Sequence, residues 1–246
     1  MRYLIVSDLH ANLHALEAVI RHAYGQYDQA VCCGDLVGYG ADPNPVVDWV
    51  RAHCSIVVRG NHDRACTGQD DLEWFNPVAR AAAVWTLENL TGANVSYVRD
   101  LPRGPAFVEG IQLLHGSPYD EDDYVVAADD AAEAFTYLES HLAFFGHTHL
   151  QGGFIWNQER VETIPPTSLS IDRQSLQIDP GGGYLINPGS VGQPRDGDPR
   201  AAYALYDSET RSLCYSRVEY DIEGAQRSIR AAGLPSFLAD RLSVGR

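Results

Sequence analysis

Five places in the 246-residue chain carry side chains able to hold a metal ion or move a proton: Asp8 with His10, Asp35, Asn61 with His62, His115, and His147 with His149. Glycine stands next to four of them, in Gly34-Asp35, Gly60-Asn61-His62-Asp63, His115-Gly116 and Gly146-His147-Thr148-His149. Asp-x-His by itself reads as a solvated turn; five such places in one chain call for a common explanation. In an extended segment, residues two apart project to the same side, so Asp8 and His10 can reach one ion, as can His147 and His149. Imidazole and carboxylate donors suit Mn, Fe, Zn, Co or Ni rather than the metals that thiolates select. Seven candidate ligands, Asp8, His10, Asp35, Asn61, His115, His147 and His149, exceed the three or four protein ligands of a single zinc. The count fits two metals that share a carboxylate.

The elements needed to position these groups are legible as a repeated pattern of apolar strand, sharp turn, polar side chain. Residues 2–7 form an apolar run that ends at Asp8, 30–33 one that ends at Gly34-Asp35, and 55–58 one that ends at Gly60-Asn61. The β-branched and apolar content of these runs predicts buried strands. Helices are predicted between them, over 12–23 with Asn12 as cap and over 44–53 with Pro45 in its first turn. Strand and helix in alternation imply parallel βαβ units, whose ligands gather beyond the carboxyl ends of the strands. The text changes at 64–101, where Asn76-Pro77 opens a helix; Trp74, Phe75 and Trp85 are read as core. A hairpin over 106–108 and 111–114 leads to His115, a helix spans 127–140 with Asp129 or Asp130 near its cap, and a strand over 142–145 leads to Gly146. Strands at 153–156, 160–164, 184–187, 202–206 and 212–218 follow, then a final helix over 222–232. The run Asp120-Glu121-Asp122-Asp123 is expected to be a solvated loop, and His14, His22, His53 and His141 to lie off the site.

Length and composition bound the function. Without an internal repeat or a linker of low complexity, the 246 residues are read as a single domain with a helical insertion near 64–101. A formal charge of -15 and a pI near 4.8 repel long polyanions, which argues against nucleic acid as partner. A small anionic substrate stays admissible, because divalent ions reverse the local field. No apolar run approaches the ~18 residues of a membrane span, and no secretory leader is visible. Five cysteines, odd in number and without zinc spacing, fit reduced thiols in a cytoplasmic location.

The order D-x-H, G-D, G-N-H-D, H, G-H-T-H resembles that of the calcineurin-like metallophosphoesterases, and Asn187-Pro188-Gly189-Ser190 is similar to their small prokaryotic branch. The resemblance implies a four-layer α/β/β/α sandwich of two mixed β-sheets flanked by helices. It also implies two divalent transition-metal ions. Asp8, His10, Asp35 and His149 would hold one and Asp35, Asn61, His115 and His147 the other, with Asp35 as bridge. His62 would stand off the metals as general acid. Two ions about 3.5–4 Å apart can clamp a phosphoryl group and turn water into hydroxide for in-line attack, while a histidine proton helps an alkoxide leave. The implied activity is hydrolysis of small phosphate esters, by a phosphatase or phosphodiesterase. A nuclease, or a metal-binding interaction module without catalysis, are the alternatives.

One departure stands out. Where the protein serine/threonine phosphatases continue as G-D-x-V-D-R-G, this chain reads Gly34-Asp35-Leu36-Val37-Gly38-Tyr39-Gly40. The Asp-Arg pair that in those enzymes orients the histidine and contacts phosphate is Gly-Tyr here, which leaves Asp63, Arg195 and Arg200 as candidates to substitute.

Overall fold

The computed structural model describes residues 1–167 and 169–246; the side chain of Trp74, and with it the expectation that it packs in the core, lies outside the described residues. β1 (Arg2–Val6), α1 (Leu13–Ala23), β2 (Gln29–Cys32), α2 (Pro43–His53) and β3 (Cys54–Val57) form two successive parallel crossovers. A one-turn helix α3 (Asn61–Ala65) follows at once, and α4 (Pro77–Asn89) and α5 (Gly92–Arg99) fill the region predicted as helical insertion. The chain then moves to a second sheet with β4 (Ala106–Val108), β5 (Ile111–Leu113), α6 (Ala128–Tyr137), β6 (Leu142–Phe144), β7 (Gly152–Trp156) and β8 (Val161–Ile164). β9 (Arg173–Gln177) returns to the first sheet, β10 (Gly183–Asn187) to the second, and β11 (Ala201–Asp207) and β12 (Ser212–Val218) complete the first before α7 (Ile222–Ala231) and α8 (Ser236–Asp240). The six-stranded sheets run β3-β2-β1-β11-β12-β9 and β4-β5-β6-β10-β7-β8. Both are mixed, with β1, β2 and β3 parallel in one and β5, β6 and β10 parallel in the other.

The strands are apolar on successive residues because each sheet is covered on both faces. In β1, Tyr3 and Ile5 point between the sheets, toward Leu113, Phe144 and Ile186 of the other layer, while Leu4 and Val6 point the opposite way onto Leu16, Val19, Val46 and Val50 of α1 and α2. β6 repeats this in mirror image: Leu142 and Phe144 face the first sheet, and Ala143 packs with Ala131 and Ala134 of α6. The period-two alternation thus builds four layers, helix, sheet, sheet and helix, the fold class that the sequence implied.

Asn12 caps α1 by accepting from the Ala15 amide, and Asn76 caps α4 by accepting from Val78 and Ala79. α2 starts a residue earlier than predicted, at Pro43. α6 ends at Tyr137 rather than 140, with Asp130 taking the Val126 and Ala127 amides. Phe75 and Trp85 are only half-buried against the core. β9 and the short helices α5 and α8 were not anticipated: β9 is Arg-Gln-Ser-Leu-Gln, an edge strand with a single apolar side chain, and pairs with β12 only because the fold brings them together. Among the described residues, no helix is long and apolar enough to cross a membrane.

Below the site the sheets are tied by a buried arginine. Arg217, on β12, donates Nε to Gln151 Oε1 at 3.0 Å, Nη2 to Asp196 and Nη1 to the Arg200 carbonyl at 3.3 Å. Removing one partner of a buried ion pair strands the other without water, which costs about 3–5 kcal/mol. Arg217→Met is therefore expected to lower unfolding free energy by that amount in a urea titration. A loss under about 1 kcal/mol would show that water reaches Asp196.

Candidate metal centre

β1, β2, β3, β5 and β6 all end at one edge, and the loops beyond them bring together every site residue expected from the sequence. Asp8, His10, Asp35, His62, His115, His147 and His149 are all at most 5% exposed, and Asn61 is half-buried. Their backbone is not the extended one that the i, i+2 spacing had implied. Asp8, His10, Asp35, His147 and His149 have φ of 52°, 46°, 54°, 66° and 60°. Together with Ala11 and Tyr39 they make seven of the ten non-glycine residues with positive φ among the described residues. Such conformations cost on the order of 1–3 kcal/mol each and persist where the surroundings enforce them. Here tight turns aim adjacent side chains at one point. Gly60 is required at the same spot for another reason: a Cβ there would lie 2.0 Å from Asp35 Oδ1.

Ligand atoms of Asp8, His10, Asp35 and His149 lie within 4.8 Å of one another, as do those of Asp35, His115 and His147. Asp35 is in both groups. Its Oδ2 is 3.5 Å from His10 Nε2 and 3.5 Å from His115 Nε2, while its Oδ1 accepts the His62 amide at 2.9 Å. Asn61 joins the second group with Oδ1 3.3 Å from His115 Nε2.

Backbone carbonyls set the ring orientations, and because a carbonyl only accepts, the nitrogen facing it carries the proton. His10 Nδ1 faces Val37 O at 3.1 Å, His115 Nδ1 faces Cys33 O at 2.8 Å and His149 Nδ1 faces Gln193 O at 2.6 Å, which leaves Nε2 of each for the centre. His147 is reversed: its Nε2 faces Asp122 O at 3.1 Å, leaving Nδ1.

This arrangement asks for positive charge. Burial holds His10 and His149 neutral, far below the ordinary histidine range, yet their Nε2 atoms approach to 3.0 Å with lone pairs toward each other. Asp8 Oδ2 is buried without a hydrogen-bond partner, and burial pushes its carboxyl up to about 7. Burial opposes charge on His115 too, but Asp35 outweighs it and raises that ring to about 10. A cation between these groups removes each conflict at once, so the residues fit divalent metal ions.

His62 sits beside them on α3, its ring 4.3 Å from that of Tyr39, 5.0 Å from that of His10 and edge-on to Phe75 at 5.6 Å. Its Nδ1 is buried and unpartnered, and burial pushes the ring down to about 4. Asp63 does not serve it: that carboxylate accepts from the amides of Leu36 at 2.8 Å, Val37 at 3.3 Å and Gly60 at 3.0 Å, and so fastens two site loops together. Arg200 is spent on Asp172 and Asp198, whereas Arg195 lies against Tyr39, its guanidinium 5.8 Å from the ring centre.

The acidic run departs from the expected solvated loop at one residue: Asp120 and Asp122 stay about half exposed, but Glu121 does not. Glu121 is 5% exposed and paired with both Arg59 and Arg64, and Arg64 also holds Asp70 and Asp122. This clamp fixes the loop whose Asp122 carbonyl orients His147. Four carboxylates in a row hid it, since the arginines that pair with Glu121 lie some 60 residues earlier. A cleft of about 400 Å³, lined by Tyr39, Asn61, His62, Phe75, Tyr124 and His147, opens onto the centre. His14, His22, His53 and His141 lie elsewhere; His22 Nδ1, for example, meets the Tyr203 hydroxyl at 2.8 Å.

Residues 1–211 match the calcineurin-like phosphoesterase superfamily domain. The chain is 34% identical to the uncharacterised protein MJ0912 of Methanocaldococcus jannaschii over 98% of its own length and 97% of that protein's. Among solved structures it is similar to a metallophosphoesterase from Sphaerobacter thermophilus, at 41% identity and a TM-score of 0.88, over 100% of this chain and 99% of that one. The hypothetical protein PH1004 from Pyrococcus horikoshii OT3 shares the fold, at 19% identity and a TM-score of 0.76, over 100% and 98% of the two chains. Spanned by that domain from its first strand into the β11–β12 turn, and carrying the ligand cluster at the edge of its two sheets, the chain belongs to the calcineurin-like phosphoesterase superfamily.

Proposed function

We propose that the chain is a cytoplasmic, single-domain hydrolase of small phosphate esters that works with two divalent transition-metal ions of the Mn, Fe, Zn, Co or Ni class. The observation that carries this reading is the shared carboxylate: Asp35 belongs to both ligand groups. Asp8, His10, Asp35 and His149 would hold one ion, and Asp35, Asn61, His115 and His147 the other. When bound, such a pair supplies Lewis-acid charge to a phosphoryl group and lowers the pKa of water. The protein's own part is to hold these ligands without rearrangement, to exclude bulk water, and to present His62 to the leaving group. A cleft of about 400 Å³ suits an ester with a small alcohol. The chain's charge of -15 argues against nucleic acid.

For His62 to donate a proton it needs a negative neighbour, and among the described residues no carboxylate bonds its ring. The dianionic phosphate of a bound ester is that neighbour: it favours the charged imidazole that burial disfavours. The proton then passes from the ring to the departing oxygen.

Metal content tests the shared carboxylate directly. Asp35→Asn is expected to lose both ions and Asn61→Ala mainly one, read by elemental analysis of protein purified without chelator; full retention of two ions in Asp35→Asn would overturn the assignment. His62→Ala is expected to keep its metal and to slow glycerol phosphate by about 10²–10⁴. It should slow p-nitrophenyl phosphate far less, because p-nitrophenolate departs without a proton. Equal losses on both substrates together with lost metal would make His62 a ligand.

A further inference from the structure

We infer that Arg195 is a substrate-binding residue that grips the phosphate beside the metal pair and turns the site toward phosphomonoesters over phosphodiesters. The inference rests on the phosphoesterase reading above and names the substrate class of the same site.

All 18 cationic side chains of this protein are arginines, set against 33 carboxylates. Most of those close to the site are neutralised: Arg59 and Arg64 by Glu121, Asp70 and Asp122, and Arg200 by Asp172 and Asp198. Arg195 has no carboxylate partner among the described residues. Its Nε and Nη2 instead donate to Gln193 Oε1 at 3.3 and 2.9 Å. Arg241 comes close enough that burial and Arg195 both lower its pKa. Arg241 itself donates Nε to the Arg246 backbone oxygen and packs its guanidinium over Phe237 at 5.5 Å. Beside the Tyr39 ring, in so acidic a protein, the Arg195 guanidinium is left with an amide oxygen and no carboxylate as its partner, an unanswered demand for an anion.

The loop that carries Arg195 is seated on the metal-binding turns. Val191 and Gly192 donate their amides to Ser7 O at 3.0 Å and Asp8 O at 2.9 Å, and Ser190 Oγ donates to Asp8 O at 2.8 Å. A Cβ on Gly192 would fall 1.9 Å from Leu9 O, so this contact tolerates no side chain. Gln193 then does two things. Its carbonyl accepts from His149 Nδ1, and its side chain aims the guanidinium. The Arg195 amide returns to His149 O at 3.3 Å, and the guanidinium rests on Tyr39, whose ring is 4.7 Å from that of His10 and 4.3 Å from that of His62. Arg195 is thus one aromatic ring away from both a metal ligand and the proton donor, half-buried and with N–H groups to spare.

A guanidinium matches phosphate because it offers paired donors to two oxygens and keeps its charge. A phosphomonoester has three terminal oxygens and close to two negative charges at neutral pH; a diester has two such oxygens and one charge. The extra anionic oxygen is what Arg195 is placed to hold, and a diester offers nothing equivalent.

The test compares wild type, Arg195→Met and Arg195→Lys, each loaded with Mn²⁺, with metal content and thermal midpoint measured on every protein. The methionine keeps apolar bulk on Tyr39 and removes the charge. Arg195→Met is expected to retain metal and to lose about 10- to 100-fold in kcat/KM on p-nitrophenyl phosphate, the worth of a charge-assisted hydrogen bond. Orthophosphate affinity by calorimetry should fall by a similar factor, bis-p-nitrophenyl phosphate should suffer less than about threefold, and Arg195→Lys should recover part of each loss. Equal losses on both esters, unchanged orthophosphate affinity, or loss of metal from Arg195→Met would each overturn the inference; the last would make Arg195 a support for Gln193 and His149. If loaded wild type cleaves neither ester, the phosphoesterase reading fails, while orthophosphate affinity still decides whether Arg195 binds phosphate.

Discussion

A single carboxylate, almost wholly removed from water, governs how the two halves of this molecule meet. Asp35 is 1% exposed, and its Oδ2 stands equally far from ring nitrogens on either side, His10 from the first sheet's leading turn and His115 from the second sheet. Burial by itself would raise its pKa; the His115 ring, which it keeps charged, outweighs burial and holds it well below the usual carboxylate range. Such a buried anion is stable only while the His115 ring and the His62 amide that donate to it stay in place. One carboxylate therefore links turns that follow strands of both sheets, on top of the apolar core between them.

The rest of the centre is built to keep those donors in place. Carbonyls of Cys33, Val37, Asp122 and Gln193 each orient one imidazole, so four rings are set by backbone that is itself fixed in turns. Positive φ at seven positions around the centre is strain that the two packed sheets and the loop after β10 must support. Asp63, which fastens Gly60 to Leu36 and Val37, and the Arg59–Glu121–Arg64 clamp distribute that support. Each of these holds a loop that bears one of the candidate ligands.

The acidic composition gains a physical meaning in this setting. Thirty-three carboxylates against 18 arginines repel anions at long range, so on the proposed reading attraction for a phosphate ester would be local, from metal ions held by the cluster and from the few guanidinium groups left without a carboxylate. On that reading, a preference for small substrates would follow from so short-ranged a field, because a long polyanion would meet the repelling surface beyond it.

Much of this was legible in the residues themselves. Strands that lead to Asp8, Asp35, Asn61, His115 and His147 announce themselves by apolar runs that break off at a polar side chain, beside a glycine in all but the first, because burial on both faces leaves no polar alternation to blur them. The same pattern marked all eight residues that converge on the centre. It did not mark β9, whose residues take extended form only through pairing with β12, nor the burial of Glu121, whose partners Arg59 and Arg64 are remote in sequence. Asp63 looked like a partner for His62 because it is adjacent in the chain, but the turn after Gly60 points it at backbone amides instead. Local sequence determined which side chains end the strands and how the helices are capped, since these depend on propensity and spacing over a few residues. Only the tertiary structure decided the φ of each turn, the nitrogen that each histidine presents and the approach of Arg195 to Tyr39, because these follow from contacts between segments up to about 180 residues apart, such as Ser190 with Asp8, that no local pattern encodes.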